Sequence, residues 1–208
     1  MKNNNPITYT PDNEPYLGSK ILLAFDKSII ASMKVNKEIA PYTYKINKSD
    51  LQSAACQIIP QGISIALSVR ELIRQGYLFG ALVLMRSLVE RATTILYLHH
   101  NPEKVDLWTK GWNYKERPSL SQMLTAIGKD KFSDVGRMIT PFYNSLTHGD
   151  PESASWNLIK TNDGDIGYSV SKILDNPELC DKISLDGSTW LLILISMATA
   201  IFPDVKRE

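Results

Sequence analysis

The stretch YLFGALVLMRSLVERATTILYLHH, residues 77–100, is the segment that best indicates the fold. Its apolar residues recur at three- and four-residue steps over about six helical turns. Gly76 precedes it and Asn101-Pro102 follows it, and both are typical of helix boundaries. The sequence therefore predicts a long, largely apolar central helix, which only a core made from other helices could cover.

Similar spacing in the neighbouring segments predicts further helices. Ser49-Asp50 is a good N-cap, and Ser119 with Gln122 matches a capping box. Pro60 is expected to bend the helix that contains it. The predicted segments run from Pro15 to about Ile39, from Ser49 to Gln75, over 102–112, from Ser119 to Gly128, from Ser133 to Gly149 and over roughly 181–202.

The segment WNLIKTNDGDIGYSV, residues 156–170, departs from this helical spacing. It contains two short extended runs on either side of Asn-Asp-Gly-Asp, a pattern typical of a hairpin. The predicted fold class is therefore all-α: a helical bundle of five or more helices with one small β-hairpin insertion near 156–170. Residues 1–14 are expected to form a flexible arm, and residues 15–208 a single domain.

Length, composition and charge narrow the class of protein. A chain of 208 residues with 43% hydrophobic side chains can bury one substantial core. It has 23 basic and 22 acidic residues, a formal net charge of +1, which argues against nucleic-acid binding through bulk charge. No sequence-specific DNA binding is expected.

Location is predicted from the cysteines and the apolar runs. Cys56 and Cys180 are far apart in sequence and are expected to be reduced, buried thiols of a cytoplasmic protein. The N-terminal residues have no signal-peptide core. The run TWLLILISMATAIF, residues 189–202, is shorter than the ~20 residues that span a bilayer, so we expect a buried core helix and no membrane association.

Two polar groups of residues interrupt the apolar pattern. Arg86 and Glu90 are one turn apart on the central helix, where they form either a surface pair or a buried, oriented guanidinium–carboxylate pair. In RMITPFYNSLTHGD, residues 137–150, Asn144 and His148 share a polar helical face. A C-terminal helical turn favours a charged imidazole, which can exchange protons near neutral pH or can simply satisfy the last carbonyls.

The segment YNSLTHGD resembles the signature of HEPN-type helical domains, in which an Arg-Asn pair precedes a histidine by three intervening residues. Asn144 and His148 match that motif, while Tyr143 occupies the position of the family's arginine. The resemblance implies an α-helical homodimer, in many relatives a metal-independent endoribonuclease of toxin–antitoxin or phage-defence systems. Its partners would then be RNA or an antitoxin-type protein.

The same resemblance implies roles for individual residues. His148 would act as acid and base, and Asn144 would orient it or the phosphate. A tyrosine donates one hydrogen bond without a positive charge, so Tyr143 alone would stabilise a phosphorane less well than arginine. Arg86 could take the arginine's place only if the central helix packs against the helix that carries His148.

A second resemblance covers residues 70–150. Arg86-Ser-x-x-Glu90 on a central helix, followed by a late histidine, is similar to a group of uncharacterised bacterial helical proteins, which implies no established activity. The alternative to the nuclease is therefore a non-enzymatic interaction or ligand-binding module. In that module Arg86, Glu90 and His148 form a structural network.

Other chemistries lack their usual motifs. No Glu-x-x-His pair, glycine-rich phosphate loop or nucleophile elbow occurs, so no cofactor and no metal are expected. The histidine pair His99-His100 is interpreted as helix capping. The four tryptophans are interpreted as core or interface residues, because basic residues do not alternate with them as in single-strand binders.

Overall fold

The computed structural model describes residues 14–45, 47–113, 115–128, 131–148, 150–160, 163–168 and 176–205. Within these ranges the side chains of residues 131–138, 152, 157 and 159 are not described. Most of the predicted arm over residues 1–14, and the predicted helix end at Gly149, lie outside the described residues.

The described part of the chain is mostly helical, which confirms the all-α class. The helices are α1 Lys20–Ile39, α2 Asp50–Arg74, α3 Leu78–His100, α4 Val105–Thr109, α5 Leu120–Ile127, α6 Lys131–Thr147, α7 Pro151–Ala154 and α8 Pro177–Ile201. Short 3-10 segments occupy Ala40–Tyr44, Pro102–Lys104 and Ser155–Asn157. Two strands, β1 Leu158–Lys160 and β2 Ile166–Tyr168, pair antiparallel, with Ile159 opposite Gly167.

The predicted N-caps form as local chemistry requires. The Ser49 and Ser119 hydroxyls each accept a backbone N–H from the glutamine three residues later, and each glutamine returns a bond to the serine backbone. Both capping boxes therefore satisfy N–H groups that have no partner within the helix. Helix α3 spans nearly all of the predicted stretch.

Several predicted helix boundaries are wrong by a few residues. Helix α1 begins at Lys20 rather than at Pro15, because residues 15–18 form a turn and Ser19 caps the helix. Helix α8 begins at Pro177 rather than near 181, because the Asn176 side chain caps it. Helix α6 already begins at Lys131, two residues before Ser133. The helix predicted over 102–112 ends at Thr109.

Helix α3 lies at the centre, in contact with α2, α5, α6 and α8, while α1 packs along α8. Its Leu82, Met85 and Leu88 side chains are fully buried. The α1–α8 contact is close: a Cβ atom on Gly187 would lie 2.6 Å from the Phe25 ring. The large core therefore depends on contacts between helices that are distant in sequence.

Helix α8 is long and apolar enough to cross a membrane by length and composition, the one such helix in the described part of the chain. It has 25 residues because it begins at Pro177, ahead of the apolar run of residues 189–202, and core helices can have the same length and apolarity. Its most apolar window is 44% buried in this structure. Leu191 and Leu194 face the core, whereas Leu185 and Leu192 are exposed.

Candidate functional site: a polar cavity between α3, α5 and α6

The Arg86 side chain connects two helices. Its Nε donates to Glu90 Oε1 at 3.1 Å, one turn along α3, and its Nη1 donates to Thr147 Oγ1 on α6 at 2.7 Å. The Thr147 hydroxyl in turn donates to the backbone carbonyl of Tyr143 at 3.0 Å. The guanidinium is therefore held on two of its edges, which restricts the orientations that it can adopt.

Glu90 is close to three guanidinium groups. Besides Arg86, Arg117 Nη2 lies 3.8 Å and Arg91 Nη1 4.0 Å from Glu90 Oε2. The Arg86 and Glu90 side chains are 25% and 21% exposed, so the pair is neither a solvated surface pair nor fully buried. Three positive groups around one carboxylate leave two positive charges uncompensated within this cluster.

Three of these residues, Arg86, Glu90 and Arg117, line an open cavity of about 480 Å³, and Arg91 is not part of its lining. Its polar lining comes from α3, from the segment before α5, from α5 and from α6: Arg86, Glu90, Arg117, Ser119, Gln122, Thr140 and Asn144. Leu120 and Met123 add an apolar floor and are buried. Thr140 and Asn144 are four residues apart on α6, which places both on the face toward α3.

Of the five residues predicted for a site, the cavity brings together Arg86, Glu90 and Asn144. The condition for Arg86 to act near His148 is met, because α3 packs against α6. His148 itself is exposed and does not line the cavity. Its backbone N–H donates to the Asn144 carbonyl at 3.0 Å. His148 directly follows Thr147, the residue whose hydroxyl Arg86 contacts.

Tyr143 points into the core rather than into the cavity. It is 2% exposed, and burial raises the pKa of its hydroxyl well above the usual range, with Asp186 on α8 adding to the effect. The tyrosine predicted as a substitute for the family's arginine therefore does not line the cavity. Asn144 is the next residue on α6, so its side chain is rotated about 100° around the helix axis and lines the cavity.

Sequence reasoning missed Arg117 and Thr147. Neither belongs to a recognisable motif: Arg117 precedes the Ser119 capping box, and Thr147 is one threonine among several. They reach Glu90 and Arg86 through contacts 27 and 61 residues apart along the chain, which no local spacing indicates. Among the described residues, no group of three His, Cys, Asp or Glu side chains is placed to hold a metal ion.

Chemically, this arrangement offers fixed donors and excess positive charge beside an open cavity, and such an arrangement suits an anion. Comparisons of the chain with protein-family models, with curated proteins and with solved structures gave no match. What the cavity binds therefore has to be inferred from its own side chains.

Proposed function

We propose that this protein is a helical binding protein for a phosphate-bearing ligand, held in the cavity between α3, α5 and α6. The observation that carries the proposal is that two guanidinium groups on the cavity wall, Arg86 and Arg117, share the single Glu90 carboxylate. Guanidinium groups pair with phosphate oxygens through two parallel hydrogen bonds, and arginine is favoured where that geometry matters.

The surroundings of Arg86 support the same proposal. Glu90 and Thr147 fix its guanidinium before any ligand arrives, so less conformational entropy is lost on binding. Asn144 and Gln122 add amide donors on the cavity wall. The side chains stay partly exposed, so an anion can enter without unfolding the cluster.

Calorimetric titration with inorganic pyrophosphate tests the proposal. Wild-type protein should bind saturably, and Arg86→Gln should weaken binding about tenfold or more, the expected loss for one charge-assisted pair. Asn144→Ala should weaken binding without touching the ion cluster. Arg74→Gln is the matched control, because Arg74 pairs with Glu71 on α2 away from the cavity. Absent binding to the wild type, or unchanged binding by Arg86→Gln, would refute the proposal.

We propose as a second candidate an HEPN-like endoribonuclease in bacterial defence or stress response. The observation that favours it is the Arg86–Thr147 hydrogen bond, which brings a guanidinium to the residue next to His148. Arg86 would then neutralise the phosphate and Asn144 would orient it. His148 would take the proton of the 2′-hydroxyl as that oxygen bonds to phosphorus; the P–O5′ bond would break, and a proton would return to the leaving 5′-oxygen. This reaction needs no metal.

Incubation with total RNA separates the second candidate from the first. If the chain is a nuclease, the wild type should degrade RNA, His148→Ala should not, and His100→Ala should match the wild type. His100 is a suitable control because it is also an exposed helix-terminal histidine. Equal RNA integrity with the wild type and His148→Ala would exclude the nuclease and leave phosphate binding untouched.

The remaining parts of the proposal concern assembly and organisation. We infer a cytoplasmic homodimer with RNA or an antitoxin-type protein as partner, as the resemblance implies, and sedimentation equilibrium would measure its mass. We also infer that the helices form a bundle and that β1 and β2 belong to the hairpin insertion predicted near 156–170, of which residues 161, 162, 169 and 170 lie outside the described residues. The contacts of α3 with four other helices and the antiparallel pairing of β1 with β2 support these two inferences.

A further inference from the structure

A second open cavity, of about 450 Å³, shares Arg117 with the first. Two tryptophans, Trp108 and Trp112, contribute to its wall. Both indoles are half-buried and pack against the hydrophobic core. The cavity therefore has a firm aromatic surface that remains open to solvent, and its volume is within the range of small-molecule sites.

The turn after α4 brings the two indoles to one cavity. Gly111 has a φ of +74°, in the left-handed region that favours glycine, and its N–H donates to the Trp108 carbonyl at 3.0 Å. A Cβ at Gly111 would meet nothing within 4 Å, so backbone conformation rather than space requires glycine there. The left-handed backbone of Gly111 therefore ends α4 and sets the course of the chain to Trp112.

Two guanidinium groups provide the charge of the cavity. Arg91 Nε donates to Gln61 Oε1 on α2 at 3.0 Å, which fixes the orientation of the Arg91 group. Arg91 and Arg117 are 35% and 55% exposed, and Glu90 lies 3.8–4.0 Å from both. The two guanidinium groups thus share one carboxylate, that of Glu90. The excess positive charge beside the indoles favours an anionic ligand.

We propose that this tryptophan cavity binds a small planar aromatic ligand that carries an anionic group. The ring would pack against the indoles and Ile58, which together remove apolar surface from water. The anionic group would pair with Arg91 and Arg117, whose fork of donors matches a carboxylate or a phosphate. This site goes beyond the phosphate cavity: apart from Arg117 it is lined by different residues, and its ligand requires a ring.

Calorimetric titration of the full chain with three naphthalene probes tests this proposal. Naphthalene-2-carboxylate or 2-naphthyl phosphate should bind saturably, and the anion that binds more tightly identifies the preferred group. Neutral naphthalene-2-carboxamide should bind about tenfold more weakly or worse, because it lacks the charge that pairs with the guanidinium groups.

Variants then assign the binding to this cavity. Arg91→Gln and Trp112→Leu should each weaken binding of the tighter anion by about tenfold or more. Gly111→Ala should also weaken it, because alanine strains the turn that positions Trp112. Trp156→Leu and Arg74→Gln, the same changes outside the cavity, should bind as the wild type does. Melting curves of all variants show which are folded. If Trp112→Leu is not folded, Gly111→Ala gives a milder test, because it keeps both indoles.

Three results would overturn the proposal. The first is that neither anion binds to the wild type. The second is that the neutral carboxamide binds as tightly as the anions, and the third is that folded Arg91→Gln and Trp112→Leu both retain wild-type affinity. None of these results depends on pyrophosphate binding in the first cavity, so the two proposals fail separately.

Discussion

Gly187 and Gly80 show how the space around one atom decides the effect of a substitution. A Cβ at Gly187 would lie 2.6 and 2.8 Å from two atoms of the buried Phe25 ring, whereas at Gly80 the nearest atom is 3.4 Å away. Overpacking costs about 1–3 kcal/mol, and replacing a helical glycine by alanine gains up to about 1 kcal/mol. Gly187→Ala should therefore destabilise the fold by about 1 kcal/mol.

Gly80→Ala is the matched comparison and should stabilise the fold by up to about 1 kcal/mol. Urea denaturation of both variants measures the difference. Equal midpoints would show that α1 and α8 do not make the close contact described here.

Asp186 should give the protein a pH-dependent stability. Burial raises the pKa of its carboxyl, although Lys182 partly opposes the shift. The folded state then binds this proton more tightly than the unfolded state, so the free energy of unfolding falls as the pH rises from the unfolded pKa through the folded one. Asp186→Asn should stabilise the fold at pH 7, by about 0.5–2 kcal/mol as single stabilising substitutions do.

The pH dependence of stability distinguishes the burial of the Asp186 carboxyl from a general effect of asparagine. The extra free energy of unfolding of Asp186→Asn over the wild type should shrink as the pH is lowered below the usual pKa range of an aspartate. There the Asp186 carboxyl is protonated in both the folded and the unfolded state. Asp106→Asn, at an exposed carboxylate on α4 that pairs with Lys110, should not stabilise the fold at pH 7, because it removes an ion pair and relieves no burial. A gain that stays constant between pH 7 and pH 3 would contradict the role assigned to burial.

At the scale of the element, capping decides whether short helices form. Helix α5 has eight residues and buries Leu120, Met123 and Leu124, so its first turn must be held in place. Ser119→Ala removes the hydroxyl that accepts the Gln122 N–H and should cost about 0.5–2 kcal/mol. Thermal denaturation followed by circular dichroism measures the loss.

Ser28→Ala is the control for that experiment. The Ser28 hydroxyl donates to the Ala24 carbonyl one turn back on α1 and caps no helix, so its removal should be neutral or slightly stabilising. If both serine variants melted at the same temperature, the cap of α5 would contribute nothing measurable.

The helices were the part of the fold that the sequence predicted best. Serine caps and apolar periodicity are local signals, and they predicted α2, α3 and α5 nearly to the residue. The start of α8 was missed: Asn176 caps the helix, so it begins at Pro177, four residues before the predicted start near 181. Gly111 was also missed as a turn, since its role depends on a backbone angle.

At the scale of the whole molecule, two leucines of α8 show which face of this long apolar helix packs against the core. Leu194 is 0% exposed and Leu192 is 55% exposed, two residues apart on the same helix. Leu194→Ala should lower the free energy of unfolding by about 2–5 kcal/mol through lost burial and a cavity. Leu192→Ala should change it by about 0.5 kcal/mol or less.

Chemical denaturation of the two leucine variants measures the contrast. Similar losses for both would mean that the exposed face of α8 is covered in solution. A small loss for Leu194→Ala alone would contradict the packing of α8 against the core.

The candidate site was predicted only in part. The spacing of Arg86 and Glu90 indicated a pair on one face of a helix, and their contact on α3 is present. Asn144 was assigned to the polar face of α6, where it lines the cavity. A helical wheel gives the angle of each side chain within one helix, but it does not say which other helix lies opposite.

By itself, the sequence determined the helical class, the caps and the polar interruptions of α3 and α6, because these follow from interactions within a few residues of each other. Only the tertiary structure decided that Thr147 meets Arg86, that Arg117 shares Glu90 with two other guanidinium groups, and that Tyr143 is buried while His148 is exposed. Those outcomes depend on how whole helical faces pack together, and side chains throughout the core contribute to that choice.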